Sequence, residues 1–212
     1  MKKVIISWMK SLKEKKLVLP IALILAAMII GLVLFLILGN RGASALTPAV
    51  TIETPDKMAA NDHEPFSLEL QLSTLKKERY PAASFSISFD PAKLEFLGIG
   101  EGNVLINNSE SSSGTALPAW SVNVEQSNEV GVINILYLDM TGGRYAFSKE
   151  LLQEKDNVIL LLNFRLRGSV RKGDILELSL DDAVFAATDE TKSLASISGT
   201  LKTANGRIVI GG

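Results

Sequence analysis

The chain has 212 residues, with 22 Lys and Arg against 23 Asp and Glu, one His, no Cys and a formal net charge of −1. The lack of Cys excludes disulfide scaffolds, thiolate zinc sites, iron–sulfur clusters and thiol nucleophiles, and a single His leaves any hydrolase triad hanging on one residue. A mean hydropathy of +0.24 is high for a domain in water, so the apolar residues must be concentrated somewhere.

They are concentrated near the start. Leu17 to Leu38 reads LVLPIALILAAMIIGLVLFLIL, 22 residues without a charge. A run of about 20 residues spans a ~30 Å hydrocarbon core, so a transmembrane helix is expected over 17–38. Residues 1–16 carry six Lys and one Glu, whereas Arg41 alone follows the run closely. The positive-inside rule therefore places residues 1–16 in the cytoplasm and the rest outside, as a single-pass protein of the cell membrane. Val4, Ile5, Trp8, Met9 and Leu12 recur at helical spacing, which suits an interfacial helix or an extension of the span. The alternative is a signal peptide cleaved near Ala45, after Ala43-Ser44-Ala45, although a signal core is usually shorter than this run. Beyond Arg41 there remain 15 basic against 22 acidic residues, a balance of −7 that disfavours nucleic acid. Residues 39–48, GNRGASALTP, form a linker with a span of roughly 18 Å.

From Ala49 to Gly212 the dominant signal is alternation at period two. Phe66, Leu68, Leu70 and Leu72 alternate with polar residues, and so do Phe85, Ile87 and Phe89. Val122 and Val124, then Leu176, Leu178 and Leu180, repeat the pattern. Val132–Leu138 and Val158–Leu162 are more continuously apolar, as central strands covered on both faces would be. Turns are expected at Asp90-Pro91, Gly100 to Asn103, Thr141-Gly142-Gly143 and Lys172-Gly173-Asp174, and Asn205-Gly206 suits a two-residue hairpin. Only Ser148–Lys155 reads as helix, with Ser148 as N-cap. About ten short strands and almost no helix predict an all-β, two-sheet antiparallel sandwich behind the N-terminal transmembrane helix.

Candidate sites are few. His63 is flanked by Asp62 and Glu64 but has no second His, so a solvated loop is the simpler reading. Asp181-Asp182 and Asp189-Glu190 are the candidate oxygen donors for a structural Ca²⁺, without EF-hand spacing, and surface or turn roles are favoured; no other cofactor is expected. Asp139 suits capping its own turn. Glu125 and Glu129 form an acidic pair whose spacing in space is not readable, and no convergent catalytic set is found, so an enzyme is not expected. Gly100 and Gly102 read as a turn. Asn107-Asn108-Ser109 matches a glycosylation sequon and marks a loop. A polysaccharide platform would need flat aromatic rings. Trp120 and Tyr137 lie in strand runs and suit the core, while Tyr145 and Phe147, beside Gly142-Gly143, are the better exposed-loop candidates.

The succession of segments resembles the cohesin domain family. YPAASFSISFDPAKLEFLGI (Tyr80–Ile99) resembles its alternating strand, aromatic-Asp-Pro turn and following strand. LDMTGGRYAFSKELL (Leu138–Leu152) is similar to its Asp-x-Thr-Gly segment, and NVILLLNFRLRGSVRKGD (Asn157–Asp174) to its buried strand, basic strand end and Gly turn. DDAVFAATDE followed by NGRIVI (Asn205–Ile210) resembles the closing strands. The resemblance implies a jelly roll of about nine strands and a noncatalytic module that docks a protein, of dockerin type in the family, on one sheet face. The family's outward Asn and Asp before the Asp-Pro turn are replaced here by Ala82, Ser84, Ser86 and Ser88, a flat strip of small side chains. Ala82, Ser84, Ser86, Ser88 and Tyr145 are thus the expected partner-binding residues, in a membrane-anchored protein that tethers a partner at the cell surface. A carbohydrate-binding module for cell-wall or extracellular polysaccharide is the alternative.

Overall fold

The computed structural model describes residues 46–104 and 120–211. Residues 17–38, read above as a membrane span, and the Asn107 sequon lie outside them. Among the described residues no helix is long and apolar enough to cross a membrane.

The strands are β1 Ala49–Glu53, β2 Lys57–Ala59, β3 Phe66–Leu72, β4 Ala82–Ser88, β5 Leu94–Glu101, β6 Trp120–Val122, β7 Val132–Leu138, β8 Val158–Leu166, β9 Ile175–Ala186, β10 Leu194–Ala195, β11 Lys202–Ala204 and β12 Gly206–Gly211, with helix α1 at Val124–Val130. They form the two sheets that the alternation predicts. One runs β11-β1-β3-β8-β5 and the other β2-β12-β9-β4-β7-β6, with β10 on β9. All pairings are antiparallel except β1 with β11 and β2 with β12, so the antiparallel expectation fails only at those outer strands.

Hydrophobic burial between the sheets holds the sandwich without cross-links. Leu68, Leu70, Leu162 and Phe164 from one sheet and Phe85, Ile87, Ile133, Leu178 and Phe185 from the other are buried. Aromatic rings add edge-to-face contacts: Phe147 lies 5.3 Å from Phe185 and 5.0 Å from Tyr137, within the range such pairs favour.

Three expectations are corrected. Val122–Val124 does not continue as a strand, because Asn123 caps a helix there. Its side chain accepts from the Gln126 N–H, and Gly131 closes the helix at φ 73° with its N–H on the Ser127 carbonyl. The sequence carries both signals, an Asn N-cap and a Gly stop. Ser148–Lys155 supplies only a 3-10 turn, Lys149–Leu151, without a side-chain bond from Ser148. Asn205-Gly206 is not a hairpin, because β11 and β12 belong to different sheets. Asn205 instead accepts the Leu180 N–H at 3.0 Å, and a Cβ on Gly206 would lie 2.8 Å from Ile52 Cγ2, so the chain crosses between the sheets where a side chain would crowd Ile52.

The sheet ends are closed. Strands β2, β6 and β11, three of the four end strands, have three residues each. The fourth, β5, is covered by α1: the Asn128 carboxamide accepts from the Phe96 N–H at 2.8 Å and donates to the Phe96 carbonyl at 2.8 Å. It occupies the place a neighbouring strand's peptide would take, which protects an otherwise open edge.

Candidate docking face

Strand β4 lies between β9 and β7. Its inward Ala83, Phe85 and Ile87 are buried, and Ala82, Ser84, Ser86 and Ser88 are half-buried on the other face. The predicted strip therefore does line one sheet face. Register gives it flanks. Ser84 sits between Leu136 of β7 and Val184 of β9, Ala82 between Leu138 and Ala186, and Ser86 between Asn134 and Asp182.

The neighbours, not the strip, carry the stronger character. Leu136 is 52% exposed, Leu138 46% and Met140, just past the strand, 80%. Strand β7 was expected to be covered on both faces. It is covered on one, its burial alternating strictly while its sequence VINILYL stays apolar at both parities except Asn134. An apolar strand with one face in water presents a contact surface. The apolarity was visible in the sequence but the exposure was not, and Leu136, Leu138 and Met140 are the residues that sequence reasoning missed.

The opposite sheet differs. Its outer face is laced by polar pairs: Ser67 Oγ donates to Asn163 at 2.7 Å, Gln71 donates to Glu69 at 2.8 Å, and Arg165 lies 3.5 Å from Glu95. The one leucine at the outward parity of β8, Leu161, is half-buried, and no strand of this sheet carries an exposed large apolar side chain.

At one end of the docking face, the buried Asp139 organises the Met140–Tyr145 loop. One carboxylate oxygen accepts from the Thr141 N–H at 2.8 Å and from its hydroxyl, and the other from the Tyr145 N–H at 3.0 Å. This is the turn-capping role read from sequence. Tyr145, expected as an exposed contact residue, is only 5% exposed, and Phe147 is fully buried. The reason is that the Tyr137 hydroxyl donates to the Tyr145 carbonyl at 2.6 Å and draws the loop onto the core. Burial, reinforced by the charge of Asp139, raises the Tyr137 pKa, keeping that donor protonated.

Near the other end, β9 carries a bulge: its register with β4 shifts between Ser86 and Ile87. The extra residue leaves Asp181 and Asp182 both exposed in succession, breaking the strand's alternation. Ser88 Oγ donates to Asp181 and Ser196 Oγ to Asp182. Asp189 bonds the Thr191 N–H and hydroxyl. Among the described residues no three carboxylate or imidazole groups gather to hold a metal. His63 stands on an exposed loop, its Nδ1 3.1 Å from the Leu166 carbonyl.

The aromatic residues named for sugar recognition are not presented flat. Tyr137 is fully buried, and Trp120 is half-buried with its ring 4.9 Å from that of Tyr137 and 6.0 Å from Phe147. Among the described residues no aromatic side chain is exposed.

This architecture has known counterparts. The chain is similar to the OlpA cohesin of Clostridium thermocellum, solved with the dockerin Doc918, at 19% identity and a TM-score of 0.55, covering 77% of this chain and 99% of that one. It is similar to the sixth cohesin of Acetivibrio cellulolyticus scaffoldin B, solved with the Cel5 dockerin, at 21% identity and a TM-score of 0.53, covering 77% and 98%. It also resembles a non-cellulosomal cohesin of the archaeon Archaeoglobus fulgidus, at 13% identity and a TM-score of 0.52, covering 78% and 92%. No curated protein sequence matches it. The Cohesin domain profile matches residues 48–205, most of the chain, and the protein belongs to the cohesin domain family.

Proposed function

We propose that this chain is a noncatalytic, membrane-anchored docking module that holds a protein partner outside the cell through the outward face of β9, β4 and β7. The observation that carries the reading is the exposure of Leu136 and Leu138 on the outward face of β7, whereas no strand of the five-stranded sheet carries an exposed large apolar side chain. Covering their exposed halves contributes roughly 1 kcal/mol each. The half-buried Ala and Ser strip between them and β9 is flat and loses little side-chain entropy on contact. A dockerin-type partner is supported by the complexes in which the similar OlpA and scaffoldin B cohesins were solved. The anchor rests on the uncharged run 17–38 behind a Lys-rich segment.

The test is capture by the immobilised full-length chain, offered dockerin modules and the secreted proteins of the source cells, beside a polysaccharide gel-retardation panel. Leu136→Glu with Leu138→Glu is expected to weaken capture at least about thirtyfold, whereas Glu69→Lys on the opposite sheet leaves it unchanged. Capture indifferent to the leucine substitutions, or retardation by glycans with an empty capture, overturns the proposal.

A further inference from the structure

The docking reading leaves one feature of the face unused. Beside the apolar row, Ser86, Ser121, Gln126, Asn134, Leu136 and Asp182 line a shallow groove of about 430 Å³ that crosses β4 and β7 toward β6 and α1. Its lining is lopsided. The hydroxyls and carboxamides can donate or accept, but the one ionised group is the Asp182 carboxylate. Asp181 is exposed next to it because of the β9 bulge. Each carboxylate has a Ser hydroxyl as partner, and among the described residues neither lies within ion-pair distance of a Lys or Arg. A bulge that costs ladder pairing to place two carboxylates on a face is the kind of irregularity folds retain to aim side chains.

We propose that this groove receives a long cationic side chain, arginine or lysine, from the docked protein, with Asp182 as its counter-ion. The aliphatic stem lies along Leu136, as such stems do on apolar surface. The charged head replaces water at the Asp182 carboxylate and takes the Asn134 carboxamide oxygen or the Ser86 hydroxyl as a further acceptor. The negative field of Asp181 and Asp182 steers and orients the partner more than it adds affinity. The partner thus presents aliphatic side chains to Leu136 and Leu138 and a cation about two residues along β4, so apolar and charged contacts together set its register on the face. This inference rests on the docking reading and adds the chemistry of the partner's surface to it.

The test uses two peptides, acetyl-Leu-Arg-Leu-amide and its neutral twin with citrulline for arginine, titrated into the isotope-labelled full-length chain in detergent micelles. The arginine peptide is expected to move the amide resonances of Ser86, Ser121 and Asn134, and to bind about threefold to fivefold tighter than the citrulline peptide, the size of a partly exposed ion pair. Asp182→Asn, which keeps an acceptor for Ser196, is expected to bring the two peptides to parity. Added salt should shrink the difference in the wild type and leave the variant unmoved. Equal affinities in the wild type, no saturable movement of these resonances, or movement centred on Asp189 and Glu190 would overturn the pocket. If the pocket fails while Leu136→Glu still abolishes capture of a partner, docking stands without it; if the peptides discriminate but capture ignores Leu136, the docking reading is the one that fails.

Discussion

Replacing Asn128 with alanine tests how the β5 edge is held. The Phe96 backbone is buried, its residue 1% exposed, and both its N–H and its carbonyl are bonded to the Asn128 carboxamide at 2.8 Å. The same amide donates to the Val124 carbonyl at 3.0 Å, binding α1 to the edge. A buried backbone group that loses its partner costs about 1–3 kcal/mol, so two such groups, partly reached by water after truncation, give about 3 kcal/mol. Urea unfolding of residues 47–211, followed through Trp120 fluorescence, reads this directly, since Trp120 packs on Tyr137 and is the sandwich's single tryptophan. Asn128→Asp sharpens the test. A carboxylate can accept from the Phe96 N–H but sets an acceptor against the Phe96 carbonyl, which favours the protonated acid and raises its folded pKa. The stability this protonated acid contributes is present below the unfolded value of about 3.9 and is lost as pH rises through the raised one. The aspartate variant's deficit against wild type must therefore be largest near neutrality and narrow on acidification. A deficit under about 0.5 kcal/mol for both variants, or one that does not narrow, refutes the account of the edge.

Gly131→Ala is expected to destabilise by about 2–3 kcal/mol in the same assay, because φ is 73° and a Cβ would lie 2.8 Å from the Phe89 carbonyl and from Pro91. Tyr137→Phe, which leaves the Tyr145 carbonyl without its donor, is expected to cost about 1–2 kcal/mol and to speed exchange of the Tyr145 and Ala146 amides. Asp174 and Asp189 have lowered pKa values, the first mainly through its bond to Lys93 and the second through Thr191. Stability from a lowered carboxyl pKa is present above the unfolded value near ~3.9 and lost as pH falls through the folded one. Acid unfolding should therefore set in below that value, and Asp174→Asn should flatten its dependence on pH. The Leu136→Glu and Leu138→Glu substitutions, on exposed positions, should shift unfolding by no more than about 0.5 kcal/mol each. A larger loss would mean that they support the fold rather than await a partner.

Much of the fold is legible from alternation because burial has period two in a strand, and Leu68, Leu70 and Leu72 or Phe85 and Ile87 obey it without exception. The Asp90-Pro91 turn was legible for a local reason: the Asp90 side chain bonds the Ala92 N–H at 2.9 Å, within the segment that encodes it. What could not be read is non-local. Whether Asn205-Gly206 joins two strands of one sheet or crosses between sheets depends on β1 and β9, far away in sequence. Two valines flanking Asn123 look like a strand until the Asn cap and Gly131 outweigh them. At the candidate site, the strip of Ala82, Ser84, Ser86 and Ser88 followed from parity alone. Its flanks did not, because Leu136 has the same composition signal whether a second layer covers it or water does. Tyr145 was misplaced for the converse reason: a glycine-rich loop suggests exposure, but a single hydroxyl on Tyr137 pulls it inward.

The closed sheet ends govern how copies of this domain meet one another. Among the described residues, three-residue end strands and a β5 edge engaged by Asn128 at Phe96 offer few free peptide groups for a neighbour to pair with, so joining edge to edge is disfavoured even for copies brought to high local density. The leucine-lined face, by contrast, gathers three exposed apolar side chains, Leu136, Leu138 and Met140. Occupancy of that face by a partner then doubles as a dispersant: an array of such domains should remain separate while loaded and become self-associating only when emptied.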